Sequence, residues 1–227
     1  MVSTLRPPPR WAIVRELRAG QELLRLGART PTLRRTRRGD GGPVVVVPGF
    51  GATDLSLLPL RRFLAGRGHA VSAGGFGRMD DDVETNAEQL AERVDRIARR
   101  TGRTVGLVGW SIGGVVAREA ARDRPDLVRH VVTFGTPVEG GPAYTSLART
   151  YSADRLAEIG ELVEERYRTP IEVPVTAIWS RRDGIVSADA CIDRRSPEVE
   201  HVEVASSHLG MGLDPDVWAV TADRLAT

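Results

Sequence analysis

Apolar residues recur with two different spacings along the 227-residue chain. Six short runs are predicted strands, and the first of them is almost purely β-branched, which is typical of a strand buried on both faces of a parallel sheet. These runs are residues 43–47, 69–73, 104–109, 127–134, 173–179 and 199–204. Helical spacing lies between them, and it is clearest in Val83, Ala87, Leu90, Val94 and Ile97, which follow one another at steps of four and three. The alternation predicts a doubly wound α/β fold with about six mostly parallel strands and helices on both faces.

Further helices are predicted over residues 54–66, 112–123 and 215–226. Residues 138–171 break the alternation because they are longer than a simple crossover needs. A short helix within them would carry Leu156 and Ile159. We expect this segment to form a small helical cap over the site. The alternative is a pair of helices packed on the edge of the sheet.

The distribution of charge separates residues 1–42 from residues 43–227. The first part holds 10 Arg against 3 acidic residues, and the second holds 22 Arg against 27. We therefore divide the chain into a basic N-terminal helical extension and one α/β domain. In residues 10–26 an apolar helical face is predicted, formed by Trp11, Ile13, Val14, Leu17 and Leu24. A basic amphipathic helix either docks on its own domain or makes peripheral contact with an anionic membrane. Docking is the more common arrangement, and we expect it here.

Several classes of protein are disfavoured by what the sequence lacks. There is no run of about 18 apolar residues that would predict a spanning helix. Residues 1–10 lack the apolar core of a secretory signal, and the single Cys191 cannot form an internal disulfide. We therefore expect a cytoplasmic location. Arg is dispersed over the body of the chain and no aromatic-basic motif occurs, so no nucleic-acid partner is expected.

Ser111 lies in the stretch V-G-L-V-G-W-S-I-G-G-V-V, residues 105–116, between Gly109 and Gly113. A serine at the junction of a predicted strand and a predicted helix is typical of a nucleophile displayed on a tight turn. A glycine-rich connector that contains a serine by chance is the alternative. The pattern alone is weak, so the interpretation depends on partner residues.

His208 is the candidate general base. It follows the predicted strand 199–204, in the loop A-S-S-H-L-G-M-G. Loops beyond the carboxyl ends of strands are where an open α/β sheet builds its sites. His69, His130 and His201 lie in or beside strands, where an imidazole is usually structural.

Asp183 is the candidate carboxylate that orients the base. It lies four residues after Trp179, where a predicted strand ends in a loop. A turn residue in an Asp-Gly pair is the alternative for this position. Asp189, Asp193 and Asp214 are better explained as residues that cap helices.

The N–H groups of Phe50 and Ile112 are the candidate oxyanion donors. Phe50 lies in P-G-F-G-A, directly after the first predicted strand, and Ile112 follows the candidate nucleophile. The candidate substrate-binding residues are Gly51, Trp110, Leu156 and Ile159. No metal or other cofactor is expected, because no cluster of His and Asp has the spacing of ligands.

The order Ser111, Asp183, His208, each just after a strand, resembles the α/β-hydrolase superfamily. The resemblance covers nearly all of residues 43–227. The motifs P-G-F-G-A, G-W-S-I-G-G and F-G-T-P are similar to those of small bacterial carboxylesterases and lipases. Two departures are Val138, where lipase-type chains often have His, and P-G-F-G in place of H-G-x-G.

The resemblance implies hydrolysis of a small-molecule or lipid ester through an acyl-enzyme on Ser111. A short- to medium-chain acyl group is expected, because a cap of this size offers limited cover to a long chain. The alternatives with the same triad are a lipase on long-chain acylglycerols, a hydrolase of amides, lactones or thioesters, and an acyltransferase. A non-catalytic ligand-binding protein of the same fold is a further alternative, against which the intact triad argues.

Overall fold

In the computed structural model, which describes residues 5–226, six strands form a single sheet. The strands are β1 (Pro43–Val47), β2 (Ala70–Ala73), β3 (Val105–Trp110), β4 (Val128–Phe134), β5 (Val175–Trp179) and β6 (Val199–Glu203). Their order in the sheet is β2-β1-β3-β4-β5-β6, and every neighbouring pair is parallel. The predicted α/β-hydrolase architecture is confirmed, and each predicted strand is present.

Six α-helices occur in the same part of the chain. They are α1 (Ala19–Leu33), α2 (Leu58–Gly66), α3 (Val83–Thr101), α4 (Ile112–Asp123), α5 (Ala153–Arg166) and α6 (Pro215–Leu225). Short 3-10 helices add Arg10–Arg18 and Asp54–Leu57, so the helix predicted over residues 54–66 begins as a 3-10 turn. None of the helices within residues 5–226 is long and apolar enough to cross a membrane.

Two apolar cores lie on the two faces of the sheet. Successive side chains of a strand point to opposite faces, and β1 shows this directly. Val45 and Val47 join the core under α3 and α4, whereas Val44 and Val46 join the core under α2 and α6. Because β1 is buried on both faces, its sequence is continuously apolar. Because the strands are parallel, the loops that follow them lie at one edge of the sheet.

The N-terminal segment, residues 10–33, packs against α6 and the loops after β5 and β6. The expectation that its apolar face docks on the domain is wrong. Trp11, Ile13, Val14, Leu17 and Leu24 are exposed, and the buried side chains are Ala12, Glu16, Glu22 and Leu33. The physical reason is hydrogen bonding: the domain presents backbone N–H groups here, and the two glutamates accept from them.

Candidate active site

Ser111 joins β3 to α4 in a backbone conformation that side-chain-bearing residues rarely adopt. Its φ is 55° and its ψ is −125°, and it is the single non-glycine residue with positive φ among residues 5–226. Its N–H donates to the Phe134 carbonyl of β4 at 2.9 Å. Such conformations cost about 1–3 kcal/mol and cluster at functional sites, because the surrounding structure has to hold them.

The glycines beside Ser111 are required by close approach of the backbone. A Cβ on Gly109 would lie 2.4 Å from the Gly113 carbonyl oxygen. A Cβ on Gly113 would lie 2.2 Å from the Pro48 carbonyl oxygen. Both distances are far inside van der Waals contact, so this turn needs glycine at both positions. The turn places Ser111 at the carboxyl-terminal edge of the sheet, as a displayed nucleophile requires.

Asp183 and His208 form a hydrogen-bonded pair between the loops after β5 and β6. His208 Nδ1 donates to Asp183 Oδ2 at 2.7 Å. Asp183 Oδ1 accepts the N–H groups of Ile185 and Val186 at 2.8 and 2.7 Å. Both side chains of the pair are buried, and both carboxylate oxygens are engaged, which fixes the imidazole. With Nδ1 as the donor, the lone pair that could take a proton belongs to Nε2.

The pKa of His208 is raised above its ordinary value. Burial by itself lowers the pKa of an imidazole, but the charge and hydrogen bond of Asp183 outweigh it, and the charge of Glu16 adds to the rise. The imidazolium is therefore stabilised inside the protein, which is what a base that takes a proton during catalysis needs.

The ends of β3 and β4 bring Trp110, the neighbour of Ser111, and Gly135 close to His208. The ring of Trp110 lies 5.7 Å from the His208 imidazole between centroids. A Cβ on Gly135, just after β4, would lie 3.0 Å from His208 Nδ1. The hydrogen bonds found within residues 5–226 do not include one between the Ser111 hydroxyl and His208. Catalytic hydrogen bonds are often long in a substrate-free enzyme and tighten when substrate binds.

The two candidate oxyanion donors flank the Ser111 turn. Phe50 follows Gly49, on which a Cβ would lie 3.4 Å from Ser111 Cβ. Ile112 is the first residue of α4, where the helix dipole adds positive potential. Among the described residues neither N–H donates to a protein acceptor. Gly51 has a φ of 68°, and its N–H donates to the Met79 carbonyl at 2.8 Å.

The other aspartates considered have separate roles. Asp214 caps α6 by accepting the N–H groups of Asp216 and Val217. Asp193 forms a buried ion pair with Arg118 instead of capping an α-helix. Asp189 is exposed, in the first turn of a 3-10 helix.

The other three histidines have structural surroundings. His130 Nε2 lies 2.9 Å from the Thr176 hydroxyl, and burial lowers the pKa of His130 to about 4, assisted by the nearby arginines. His201 Nε2 accepts the Asp193 N–H at 3.0 Å. His69 is buried against Gly39.

Residues 138–171 attach to the loop that carries Asp183. Ser146 N–H donates to the Ile185 carbonyl at 2.7 Å, and Ser187 N–H donates to the Tyr144 carbonyl at 3.0 Å. The far end of α5 lies beside α4, where Arg166 pairs with Asp123 at 2.9 Å. The segment therefore begins at the site and runs away from it.

The four candidate substrate-binding residues fall into two groups. Gly51 lies in the loop after β1, and Trp110 is the last residue of β3, next to Ser111. Leu156 lines an open groove of about 700 Å³ between α5 and residues 140–144, and Ser111, Asp183 and His208 are not among its lining residues. Ile159 packs near Gly141, where a Cβ would lie 3.4 Å from its Cγ2. The roles of Leu156 and Ile159, and the cap itself, stay predictions.

Glu16 and Glu22 of the N-terminal segment are functional candidates that the sequence analysis missed. Glu16 Oε1 accepts the N–H groups of Gly184 and His208 at 2.8 and 3.1 Å, and Oε2 accepts that of Leu209 at 2.7 Å. Glu22 Oε1 accepts the N–H of Ser207 at 3.2 Å. The sequence feature that could have identified them is that Glu16 and Glu22 are acidic residues in a strongly basic segment and lie away from its apolar face.

The fold and these residues agree with comparison to known proteins. The model of the alpha/beta hydrolase family matches residues 44–225, and the chain belongs to that family. Among solved structures, one from a study of two metagenome-derived lipolytic enzymes gives a TM-score of 0.63 at 18% identity, over 83% of this chain and 93% of that chain. The monoacylglycerol lipase of Paleococcus ferrophilus gives a TM-score of 0.61 at 18% identity, over 84% and 96%. At these identities the likeness shows the shared fold.

Sequence relatives include pimeloyl-[acyl-carrier protein] methyl ester esterases. The Shewanella woodyi protein is 34% identical over 99 residues, which are 43% of this chain and 37% of that protein. The Aliivibrio salmonicida protein is 25% identical over 147 residues, which are 62% of this chain and 55% of that protein. The matches thus span about a third to a half of the relatives' length.

Proposed function

We propose that this protein is a serine hydrolase that cleaves carboxylic esters through an acyl-enzyme on Ser111. The observation that carries the proposal is the positive φ of Ser111 at the β3–α4 turn, on the sheet edge where Asp183 binds His208. If Ser111 occurred by chance in a glycine-rich connector, this strained conformation would not be expected. Family membership supports the same class of chemistry.

The proposed reaction has two steps. His208 Nε2 takes the proton of the Ser111 hydroxyl as the oxygen attacks the ester carbonyl, while Asp183 stabilises the imidazolium. The N–H groups of Phe50 and Ile112 stabilise the oxyanion. His208 then protonates the leaving alcohol, and the acyl group stays on Ser111. Water, deprotonated by His208, attacks the acyl-enzyme, and His208 returns that proton to the Ser111 oxygen as the acid is released.

The proposed substrates are esters of short- to medium-chain acids. Large apolar side chains near the candidate site are Phe50 and Leu209, which lie in loops and are about half exposed, and Trp110 at the end of β3. Leu156 and Tyr144 offer further apolar surface in the groove between α5 and residues 140–144. The relatives' names describe methyl ester hydrolysis, so methyl esters belong in the same substrate panel.

Labelling with a fluorophosphonate probe tests the class of protein, since the probe reacts with an activated serine. We expect the wild type to label, Ser111→Ala not to label, and the exposed Ser56→Ala to label as the wild type does. A ligand-binding protein without catalytic function would not label. Equal labelling of Ser111→Ala would show that another residue is the nucleophile.

A panel of p-nitrophenyl and methyl esters with acyl chains of increasing length tests the substrate class. We expect turnover of short and medium chains that is lost in Ser111→Ala. Labelling without ester turnover would instead direct attention to amides, lactones, thioesters or an acyl acceptor other than water. A rate that rises without a break toward the longest chains would indicate a lipase.

A further inference from the structure

The N-terminal segment exposes an apolar stripe, which we define as Trp11, Val14, Leu17 and Leu24, with Ile13 and Leu23 exposed beside it. Leu17 is 84% exposed and Trp11 63%. Residues three apart share a face in a 3-10 helix, so Trp11, Val14 and Leu17 align. Leu24 lies two helical turns beyond Leu17 and extends that side. Contiguous apolar surface of this kind on a folded domain marks an interaction site.

The apolar stripe is not used to hold the segment on the domain. Attachment is through the opposite side, where Glu16 and Glu22 accept backbone N–H groups. On the same side, Leu33 packs into the core beneath α6. Arg25 pairs with Asp214 at 2.9 Å and with Asp216 at 2.6 Å at the start of α6. The segment is therefore fixed in place with its apolar side turned outward.

Arginines border the apolar stripe. The Arg15 guanidinium lies 4.9 Å from the centroid of the Trp11 ring. A small pocket of about 110 Å³ lies between the segment and the domain. Its lining residues are Arg15, Arg18, Gln21, Glu22, Arg25, Arg182, Ala205 and Ser207, four cations against one carboxylate.

Part of this charge is free to bind anions. Within residues 5–226, no ion pair joins Arg18 or Arg182 to a carboxylate. Two buried atoms of the pocket, Glu22 Oε2 and Ser207 Oγ, make no hydrogen bond. The Ser207 hydroxyl is a further donor for an anion, whereas Glu22 Oε2 can only accept, so Arg18 and Arg182 carry the anion binding.

We propose that the apolar stripe and the bordering arginines form a docking surface for an anionic lipid bilayer. A bilayer interface offers an apolar layer and a layer of phosphates side by side, which matches the apolar stripe and the arginines together. The stripe would enter the boundary of the acyl chains, with Arg18 and Arg182 on lipid phosphates. A second copy of the chain is a poorer match, because pairing through the stripe would bring two strongly basic segments together.

Docking would bring the candidate site close to the lipid. Glu16, on the inner side of the same helical segment, accepts the N–H of His208. A helix with its side chains is about 10–12 Å across, so His208 lies roughly one helix diameter from the apolar stripe. Together with the proposed function, this position favours an ester carried in or released from the membrane. Binding itself does not depend on that function.

Sedimentation of the full chain with vesicles tests the proposal. We expect binding to vesicles of phosphatidylcholine mixed with phosphatidylglycerol, little binding to phosphatidylcholine alone, and weaker binding at high salt. Leu17→Glu should weaken binding by on the order of tenfold or more. Arg18→Gln and Arg182→Gln should each weaken it about fivefold. All three positions are exposed at the surface, so the fold should persist, which circular dichroism checks.

Leu162→Glu is the matched control, because Leu162 is an exposed leucine on α5. It should bind vesicles as the wild type does. Equal binding of wild type and Leu17→Glu, or equal binding to both vesicle types, would overturn the proposal. A stable dimer in sedimentation equilibrium that Leu17→Glu separates would also overturn it, in favour of self-association.

Discussion

Glu16 accepts the backbone N–H of His208, although the two residues are 192 positions apart in the chain. The same carboxylate accepts the N–H of Gly184, next to Asp183, and the N–H of Leu209. One side chain of the N-terminal segment thus connects the loop of the candidate acid with the loop of the candidate base. We infer that Glu16 positions the Asp183–His208 pair.

Glu16→Gln should lower both stability and activity. The amide nitrogen of glutamine cannot accept, so at least one of the three N–H groups, which are buried or part-buried, loses its partner, at a cost of about 1–3 kcal/mol. The missing charge should also lower the pKa of His208, which Glu16 helps to raise. Because His208 must be neutral to act as a base, the acidic limb of the kcat/KM profile should move to lower pH.

The exposed Glu88 provides the control for this prediction. Glu88→Gln should leave the melting temperature and the pH profile unchanged. If Glu16→Gln lowered the melting temperature without moving the acidic limb, Glu16 would be structural only. An unchanged melting temperature and profile would exclude both roles.

Asp183→Asn should be severely impaired, whereas Asp189→Asn should retain nearly full activity. Asparagine keeps the shape of the side chain but favours the wrong imidazole tautomer, and in serine proteases the same change costs about 10⁴ in kcat. Asp189 is exposed, and Asp183 accepts from His208 Nδ1. Steady-state kinetics on one p-nitrophenyl ester checks both variants. Losses in the opposite order would mean that the wrong carboxylate has been assigned.

Ser111→Gly should be more stable than Ser111→Ala, although both should be inactive. Glycine adopts positive φ without steric cost, whereas alanine would keep the strain of the φ of 55°. The difference should be about 1–3 kcal/mol, or about 2–4 °C in melting temperature per kcal/mol for a domain of this size. At Ser56, in a 3-10 helix with ordinary backbone, alanine should be the more stable. Equal stability of the two Ser111 variants would show that the turn is not strained.

The sheet and the order of its elements could be predicted because the strands and helices have recognisable hydrophobic patterns in their own local sequence. The run of valines in β1 is typical of a buried strand, and the spacing from Val83 to Ile97 is typical of an amphipathic helix. The loops of Asp183 and His208 follow from the same reasoning, since adjacent parallel strands bring their carboxyl ends together. The pairing of these two residues at 2.7 Å agrees with that expectation.

The orientation of the N-terminal segment could not be predicted in the same way. Its apolar pattern suggested burial of Trp11 and Leu17, but hydrogen bonding from unpaired backbone N–H groups selected the other side. Those donors come from residues 184 and 207–209, far away in the sequence. The sequence around Glu16 does not predict these donors, because a glutamate in a basic helix is most often exposed to solvent.

Acyl-chain preference should depend on the groove between α5 and residues 140–144. If the acyl chain enters it, each added CH₂ should contribute roughly 0.8 kcal/mol until the apolar surface ends, so kcat/KM should peak at about C4 to C8. Leu156 lines this groove, and Leu156→Trp should therefore move the peak to shorter chains. Ile159→Trp should act in the same direction, because Ile159 packs near Gly141.

Leu162→Trp, at an exposed position of α5 outside the groove lining, should leave the profile unchanged. If the Leu156 and Ile159 variants both kept the wild-type profile, residues 138–171 would not form the acyl pocket, and Phe50 and Trp110 would have to set the chain length.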